Sequence, residues 1–246
     1  MDAMFGVNLS TAAGPEVDPA GDARLAEVLG FEFLQVTDHL NTRHGNFETW
    51  TLLSWVAAQT SRIELGPNVL GLPYRSPAVI AKMSESLDRL TGGRTTLGLG
   101  AGGADAEFAA FGLTVRSANE KVEALREAIL IIRGLWKETT FSFAGRHFQT
   151  DEAQIEPKAE RRIPIYIGAY GPRMLALVGE LADGWSPSAA YAPLPRAIEM
   201  RERVREAARE AGRDPDSIVC QYNVAVMVDE RMRSRNNSVV GSATEV

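Results

Sequence analysis

The sequence predicts an α/β fold with a parallel sheet, because short apolar runs alternate with amphipathic helices along most of the chain. Seven runs have the length and composition of strands: residues 5–9, 33–36, 63–69, 95–99, 165–167, 184–186 and 218–228. Strands of this kind fit either an open doubly wound sheet or a nearly closed barrel. A chain of 246 residues that is 45% hydrophobic can bury one sizeable core, so we expect a single domain over residues 1–246.

Helix-capping residues support this interpretation at three places. Asp18-Pro19 and Ser76-Pro77 each combine an N-cap side chain with a first-turn proline. Ser117 and Glu120 have the spacing of a capping box, in which each side chain bonds the backbone N–H of the other residue. Apolar residues three and four positions apart follow each pair, so we expect a helix to begin at each.

Two stretches depart from the alternation. Residues 139–162 contain Gly145, Pro157 and mixed charge, which predicts an insertion that forms a short hairpin or a lid. Residues 229–246 are polar and offer no eighth strand, so a barrel formed by this chain is expected to lack its final strand and helix. Such a chain is either truncated or completed by oligomerisation.

The composition argues against several classes of partner. A net charge of −6 without a basic cluster disfavours nucleic acid and anionic membranes. No apolar run approaches the ~20 residues that span a bilayer, and residues 1–9 lack the features of a signal peptide. Three histidines without an H-x-x-x-H spacing and the single Cys220 supply no familiar zinc site and no intramolecular disulfide, so we expect a cytoplasmic protein without a metal.

The segment Thr37-Asp38-His39 directly follows the second predicted strand. In a barrel this position lies at the carboxyl ends of the strands, where active sites are built. The neighbouring carboxylate of Asp38 could set the charge and tautomer of His39, and a histidine can pass a proton to or from a substrate oxygen. The alternative interpretation is a helix-capping aspartate beside an incidental loop histidine.

Glycine and proline are concentrated at the ends of the third and fourth strands. Residues 65–77 hold two glycines and three prolines, which indicates either a stiff rim able to support a flat ring or an ordinary structural turn. Residues 98–103 have the dinucleotide spacing G-x-G-x-x-G, with Gly100 and Gly102 at its centre. They follow the fourth strand instead of the first, which favours a rim of small residues that leaves room for a ligand over a Rossmann site.

A third glycine turn, Gly168-Ala169-Tyr170-Gly171-Pro172-Arg173-Met174, leads from the fifth strand into a helix. Free backbone N–H groups at a helix N-terminus attract anions, and Arg173 would add a full positive charge. The turn is therefore a candidate phosphate site. The alternative is an ordinary strand-to-helix turn with a surface arginine.

Four segments in this order, residues 30–39, 73–77, 93–100 and 163–174, resemble the luciferase-like family of flavin and deazaflavin oxidoreductases. The chain looks most like the branch that depends on coenzyme F-420, and the likeness extends over residues 5–228. The resemblance implies a TIM (β/α)₈-type barrel with the cofactor ring at the carboxyl ends of the strands. Family members are commonly homodimers, which implies the same for this chain.

The resemblance also assigns residues. Asp38 and His39 occupy positions that face the ring and the substrate, and a non-prolyl cis peptide at Asn68–Val69 backs the ring. The phosphate turn of the family corresponds to Gly168, Ala169, Gly171, Pro172, Arg173 and Met174. Gly100 and Gly102, in the rim after the fourth strand, are further candidate cofactor-binding residues on the evidence of the glycine run itself. The implied activity is hydride transfer between coenzyme F-420 and a small organic substrate. An FMN-dependent monooxygenase and a non-catalytic flavin-binding homologue are the alternatives.

The sequence departs from the family at two places. Several deazaflavin dehydrogenases carry a carboxylate just after the fourth strand, where this chain has Gly102-Gly103. Asp105 or Glu107 could take over its role. Some relatives have a tryptophan beyond the Asp-His pair, where residues 43–46 read Arg-His-Gly-Asn.

Overall fold

The computed structural model describes residues 3–40, 45–228 and 238–241. The chain divides into two compact units, formed by residues 1–165 and 166–246. In both units strands that pair in parallel alternate with helices, which confirms the predicted α/β class.

The strands of the first unit place their carboxyl ends at one edge. They are β1 (Gly6–Asn8), β2 (Phe33–Val36), β3 (Glu64–Pro67), β4 (Leu70–Gly71) and β5 (Leu97–Gly100). β2 pairs in parallel with β1 and with β3, and β4 pairs in parallel with β5. A parallel bridge between Leu65 and Thr95 joins β3 to the residues just before β5. The loops that leave β2, β3 and β5 therefore begin at a common edge of the sheet.

Helices of the first unit begin just after Asp18, Ser76 and Ser117, as the caps predict, and at two further places. They are α1 (Pro19–Val28), α2 (Thr49–Ala57), α3 (Pro77–Leu90), α4 (Asp105–Ala110) and α5 (Ala118–Lys137). Asp18 accepts a hydrogen bond from the Gly21 N–H at 2.9 Å, and Ser117 forms the predicted capping box with Glu120. The sequence analysis did not predict α4. This helix has only six residues and no side-chain cap, so its local signal is weak.

The core of the first unit packs helices against the buried faces of the strands. Leu34 and Val36 of β2 and Ile80 of α3 are almost completely buried. Each large apolar side chain buried in this way stabilises the fold by about 1.5–3 kcal/mol. The indole N–H of the buried Trp136, on α5, donates to the carbonyl of Ala81 at 2.9 Å, which ties α5 to α3.

Close contact between β3 and the strand beside it depends on Gly66. A Cβ at this position would lie 2.0 Å from the Thr96 carbonyl oxygen, and backbone cannot move away as a side chain can. We expect Gly66→Ala to lower the free energy of unfolding by about 3 kcal/mol. Urea unfolding measures this, with Gly103→Ala as the matched control, because a Cβ at Gly103 meets nothing within 4 Å. Equal stability of the two variants would contradict the packing described here.

The insertion contains the predicted hairpin. Its strands, β6 (Phe141–Ala144) and β7 (Gln149–Ala153), pair in antiparallel fashion. The carboxylate of Glu127, on α5, accepts hydrogen bonds from the backbone N–H groups of three successive turn residues, Arg146, His147 and Phe148, at 2.8–2.9 Å. The hairpin turn is therefore fixed to α5.

A second carboxylate of this kind, Glu27 at the end of α1, predicts a pH dependence. Burial raises its pKa, but backbone hydrogen bonds from Ile63, Arg62 and Ser61 outweigh burial and lower it from 4.5 to about 2. Because the pKa is depressed in the folded state, Glu27 stabilises the protein above pH 4.5, and this contribution is lost as the pH falls towards 2. We expect the stability advantage of the wild type over Glu27→Gln, measured by urea unfolding, to shrink between pH 6 and pH 3. A constant difference would contradict this.

The second unit repeats the strand–helix alternation. Its strands are β8 (Ile165–Ile167), β9 (Gly184–Trp185), β10 (Val219–Cys220), β11 (Ala225–Val228) and β12 (Ser238–Gly241), and its helices are α6 (Pro172–Leu181) and α7 (Leu194–Glu210). β9 pairs in parallel with β8 and with β10, and β11 pairs in parallel with β12. A Cβ at Gly179 of α6 would lie 2.5 Å from the Val204 carbonyl oxygen of α7, so glycine permits the two helices to pack closely.

Two expectations for the second unit were wrong. The apolar run at 218–228 forms two strands, and between them the Asn223 side chain donates to Ser186 Oγ and to the Pro187 carbonyl. A strand also lies at Ser238–Gly241, inside the polar segment for which none was predicted. Pairing with β11 supplies hydrogen bonds that local composition does not reveal. In the described part of the chain, no helix is long and apolar enough to cross a bilayer.

Candidate active site

The residues that follow β2 are each held by a different part of the first unit. The Thr37 carbonyl accepts a hydrogen bond from the Thr49 hydroxyl of α2 at 2.6 Å. The His39 carbonyl accepts one from the Asn46 side-chain amide at 2.6 Å, and the Leu40 N–H donates to Glu107 Oε1 at 2.6 Å. Several independent contacts thus fix the position of this loop, as a preorganised site requires.

Asp38 forms a buried ion pair with Arg75. Nη1 of Arg75 lies 2.9 Å from Oδ2 of Asp38, and Nη2 lies 3.3 Å from Oδ1. The Gly71 N–H donates to the same Oδ2 at 2.8 Å. The Asp38 side chain is 0% exposed, so the geometry favours a role in positioning the ends of β2 and β4 over direct proton transfer. Its predicted catalytic role remains a prediction.

Arg75 also bonds Glu48, which is the N-cap of α2. Glu48 accepts from the Trp50 and Thr51 N–H groups as well as from Nη2 of Arg75. Burial raises the pKa of Glu48, but these hydrogen bonds outweigh burial and lower it, so the residue is a carboxylate at neutral pH. One guanidinium therefore joins the end of β2 to the start of α2.

His39 stands at the surface of this network and is paired with Glu107. The imidazole is 50% exposed, and its Nδ1 lies 3.1 Å from Oε2 of Glu107, whose side chain is only 10% exposed. Asp105, the other candidate carboxylate, is paired with Lys121. Glu107 is therefore the carboxylate that this chain places beside the histidine.

Tyr74 lies close to Glu107. Burial raises the pKa of Tyr74, and the Glu107 carboxylate raises it further, so its hydroxyl keeps its proton at neutral pH. Its ring packs edge-on against Phe108 with centroids 5.0 Å apart. Glu107 therefore lies beside an aromatic pair that includes the next residue of the chain, Phe108.

The loop after β3 contains the cis peptide Asn68–Val69 that the resemblance implies. Both residues are partly exposed, whereas Gly66 and Pro67 before them are buried. A Cβ at Gly100 would lie 2.6 Å from Val69 Cγ2, so the absence of a side chain at Gly100 lets Val69 pack there.

Gly102 has a similar structural role. It adopts a φ of +94°, and a Cβ would lie 2.7 Å from Phe108 and 2.8 Å from Pro73. Gly100 and Gly102, at the end of β5 and just after it, therefore make room for the loop that contains Val69 and Pro73. Gly103 differs from these two glycines, because a Cβ at Gly103 would meet nothing within 4 Å and the space beside it is open.

The first unit thus brings together all its predicted site residues, which lie at the carboxyl ends of β2, β3 and β5: Asp38, His39, Asn68, Val69, Gly100 and Gly102. The sequence analysis gave no role to Arg75, Glu48, Tyr74 or Asn46. For Arg75 a signal existed, since an arginine between Pro73 and Pro77 in a stiff loop is confined to few positions. Nothing local marked Asn46 or Tyr74.

The second unit carries the predicted phosphate turn at the start of α6. The Ala169 carbonyl accepts a hydrogen bond from the Trp185 indole N–H at 3.0 Å, which fixes the turn. Gly171 is the N-cap, makes no side-chain cap and faces open space, and Pro172 opens the helix. Gly171, Pro172 and Arg173 are exposed, whereas Gly168 and Met174 are partly exposed. This is the geometry that the sequence predicts for an anion site.

Comparison with known proteins identifies the family. Residues 7–239 match the family model of the luciferase-like monooxygenases. The chain is 34% identical over 215 residues to a 5,10-methylenetetrahydromethanopterin reductase of Archaeoglobus fulgidus, a match that covers 87% of this chain and 61% of the relative. The chain spans about three-fifths of the length of such relatives.

Two solved structures show the same fold. An F-420-dependent secondary alcohol dehydrogenase in complex with an F-420–acetone adduct has a TM-score of 0.86 at 24% identity, covering 94% of this chain and 71% of that one. The coenzyme F-420-dependent tetrahydromethanopterin reductase of Methanopyrus kandleri has a TM-score of 0.80 at 28% identity, covering 94% and 68%. These likenesses confirm the predicted fold class, an α/β fold of the TIM-barrel type. The chain belongs to the luciferase-like monooxygenase family.

Proposed function

We propose that the protein is an oxidoreductase that transfers a hydride between coenzyme F-420 and a small organic substrate. The observation that carries the proposal is the exposed His39 at the end of β2, oriented by Glu107. Two proteins with the same fold are named as F-420-dependent enzymes, which supports the choice of cofactor. His39 supplies the proton-transfer group that such chemistry needs.

The residues at the ends of β3 and β5 fit a planar ring. Asn68 and Val69 are partly exposed and offer a peptide group and an apolar side chain. The absence of a side chain at Gly100 makes room for Val69. A ring packed there would meet backbone groups and one branched aliphatic side chain, a mostly apolar surface with few polar contacts. We propose Asn68 and Val69 as its support, with Gly100 and Gly102 shaping the loop that holds them.

The turn at the start of α6 fits the phosphate-bearing tail of the cofactor. Gly171 makes no side-chain cap, the N-terminus of a helix attracts anions, and Arg173 adds a positive charge in the same turn. We propose that Gly168, Ala169, Gly171, Pro172, Arg173 and Met174 form this site.

The bound deazaflavin would supply or accept the hydride. The protein would then do three things with its own residues. His39 would hold or release a proton at a ring nitrogen, and the Asp38–Arg75 pair would hold the loop that contains His39 in place. Asn68 and Val69 would fix the plane against which the substrate reacts.

Cofactor titration tests the proposal. Equilibrium dialysis with coenzyme F-420 and with FMN is expected to show micromolar binding of F-420 and much weaker binding of FMN. The reverse preference would favour an FMN-dependent monooxygenase. Binding of F-420 without turnover of any alcohol, imine or enone would favour a non-catalytic homologue.

Arg173→Glu tests the anion site separately. The variant replaces an attractive charge with a repulsive one in the first turn of α6, so we expect affinity for F-420 to fall at least roughly 30-fold. Dialysis measures the affinity, and the melting temperature should stay within about 2 °C because Arg173 is exposed. Arg203→Glu, the same change at an exposed site on α7, is the matched control. If both variants bind as the wild type does, Arg173 has no part in the site.

The homodimer and the cytoplasmic location expected from the sequence remain predictions.

A further inference from the structure

We infer that Glu107 is a positioning residue that keeps the proton of the neutral His39 ring on Nδ1, which leaves Nε2 as the nitrogen that exchanges a proton with the substrate. The tautomer follows from the structure alone. Its consequence for turnover rests on the proposed function.

The two oxygens of Glu107 have different partners. Oε1 accepts from the Leu40 N–H at 2.6 Å, and Oε2 lies 3.1 Å from Nδ1 of His39. An ionised carboxylate can only accept hydrogen bonds, so Nδ1 has to be the donor in this contact. In a neutral imidazole Nε2 is then the acceptor, and it belongs to a side chain that is half exposed.

The surroundings of Glu107 prevent it from turning away. It lies in the first turn of α4, and the next residue, Phe108, is buried at 2% exposure. Tyr74 packs beside the carboxylate and against Phe108. The Asn46 side chain meanwhile holds the His39 carbonyl at 2.6 Å. The backbone of His39 and the carboxylate of Glu107 are therefore each held by a separate contact, and the hydrogen bond between Nδ1 and Oε2 joins the two.

The other acids near this edge cannot perform the same task. Asp38 is 0% exposed and bonded to Arg75, and Asp105 is paired with Lys121. Glu107 is the carboxylate in contact with His39 in the described part of the chain.

Glu107→Gln provides a sharp test because it preserves shape and reverses polarity. The Leu40 N–H can only donate, so it keeps the amide oxygen of glutamine at the position of Oε1. The amide NH₂ then faces Nδ1, which has to accept, and the proton moves to Nε2. We therefore expect the variant to invert the tautomer of His39.

Nitrogen-15 NMR of the histidine side chains, recorded on the neutral ring of the cofactor-free protein, reads the tautomer directly. The chain has three histidines, and loss of a signal in His39→Asn assigns the relevant one. We expect the Nδ1–H form in the wild type and in the control Asp105→Asn, and the Nε2–H form in Glu107→Gln. An Nε2–H wild type, or a variant with an unchanged tautomer, would overturn the inference.

Turnover gives the second readout. We expect Glu107→Gln to lower kcat by about 100-fold or more with little change in KM, because the substrate would meet a donor where it needs an acceptor. Inverted NMR tautomers together with unchanged kcat would overturn the catalytic part of the inference. If the wild type shows the expected tautomer but does not bind F-420, the proposed function is wrong, whereas the inferred hydrogen bond between Glu107 and His39 still holds.

Discussion

Arg75→Met is expected to lower the free energy of unfolding by about 3–5 kcal/mol, because it leaves the carboxylate of Asp38 buried without its cation. Asp38 would retain one hydrogen bond, from the Gly71 N–H at 2.8 Å, which does not replace a charge partner. Urea unfolding followed by circular dichroism measures the loss.

The double variant Asp38→Asn/Arg75→Met is the control for this prediction. It removes both charges and keeps an oxygen for the Gly71 N–H, so we expect it to be more stable than Arg75→Met alone despite carrying one more substitution. A double variant at least as unstable as the single one would show that the loss comes from packing of Arg75 and not from the unpaired charge.

His39→Ala is expected to reduce turnover with F-420 by about 10²–10⁴-fold, the range that a positioned acid or base contributes. Affinity for F-420 should change by no more than a few-fold, because the proposed ring support lies in Asn68 and Val69. Steady-state kinetics and dialysis on the same preparation separate the two effects.

His147→Ala is the matched control, since this histidine also pairs with a carboxylate, Glu123 at 3.2 Å, but lies in the insertion hairpin. It should keep wild-type turnover. Normal turnover in His39→Ala would remove the catalytic assignment, and a parallel loss of affinity would assign His39 to binding instead.

Much of the fold could be predicted because its signals are local. The caps at Asp18, Ser76 and Ser117 and most of the apolar runs of the strands depend on neighbouring residues, and these were confirmed, whereas the run at 218–228 forms two strands instead of one. What failed depends on distant contacts. The strand at Ser238–Gly241 exists through pairing with Ala225–Val228, and a short helix such as Asp105–Ala110 carries too few residues for a period.

The candidate site divides in the same way. Asp38 and His39 could be singled out by their place after a strand, but their partners Arg75 and Glu107 lie 37 and 68 residues away along the chain. The spacing of apolar residues along the chain gives no information about contacts between residues so far apart in the sequence. The sequence therefore left Asp105 and Glu107 open, and it did not indicate that folding buries the Asp38 side chain. The cis peptide at Asn68–Val69 came from the family resemblance and not from the physics of the segment.

A crystal structure of the protein with bound F-420 tests most directly whether the carboxyl ends of β2, β3 and β5 form the redox site. We expect the deazaflavin ring in van der Waals contact with Val69, with Nε2 of His39 turned towards the open face of the ring. A ring bound away from both residues would contradict the account, even if the affinity for F-420 were high.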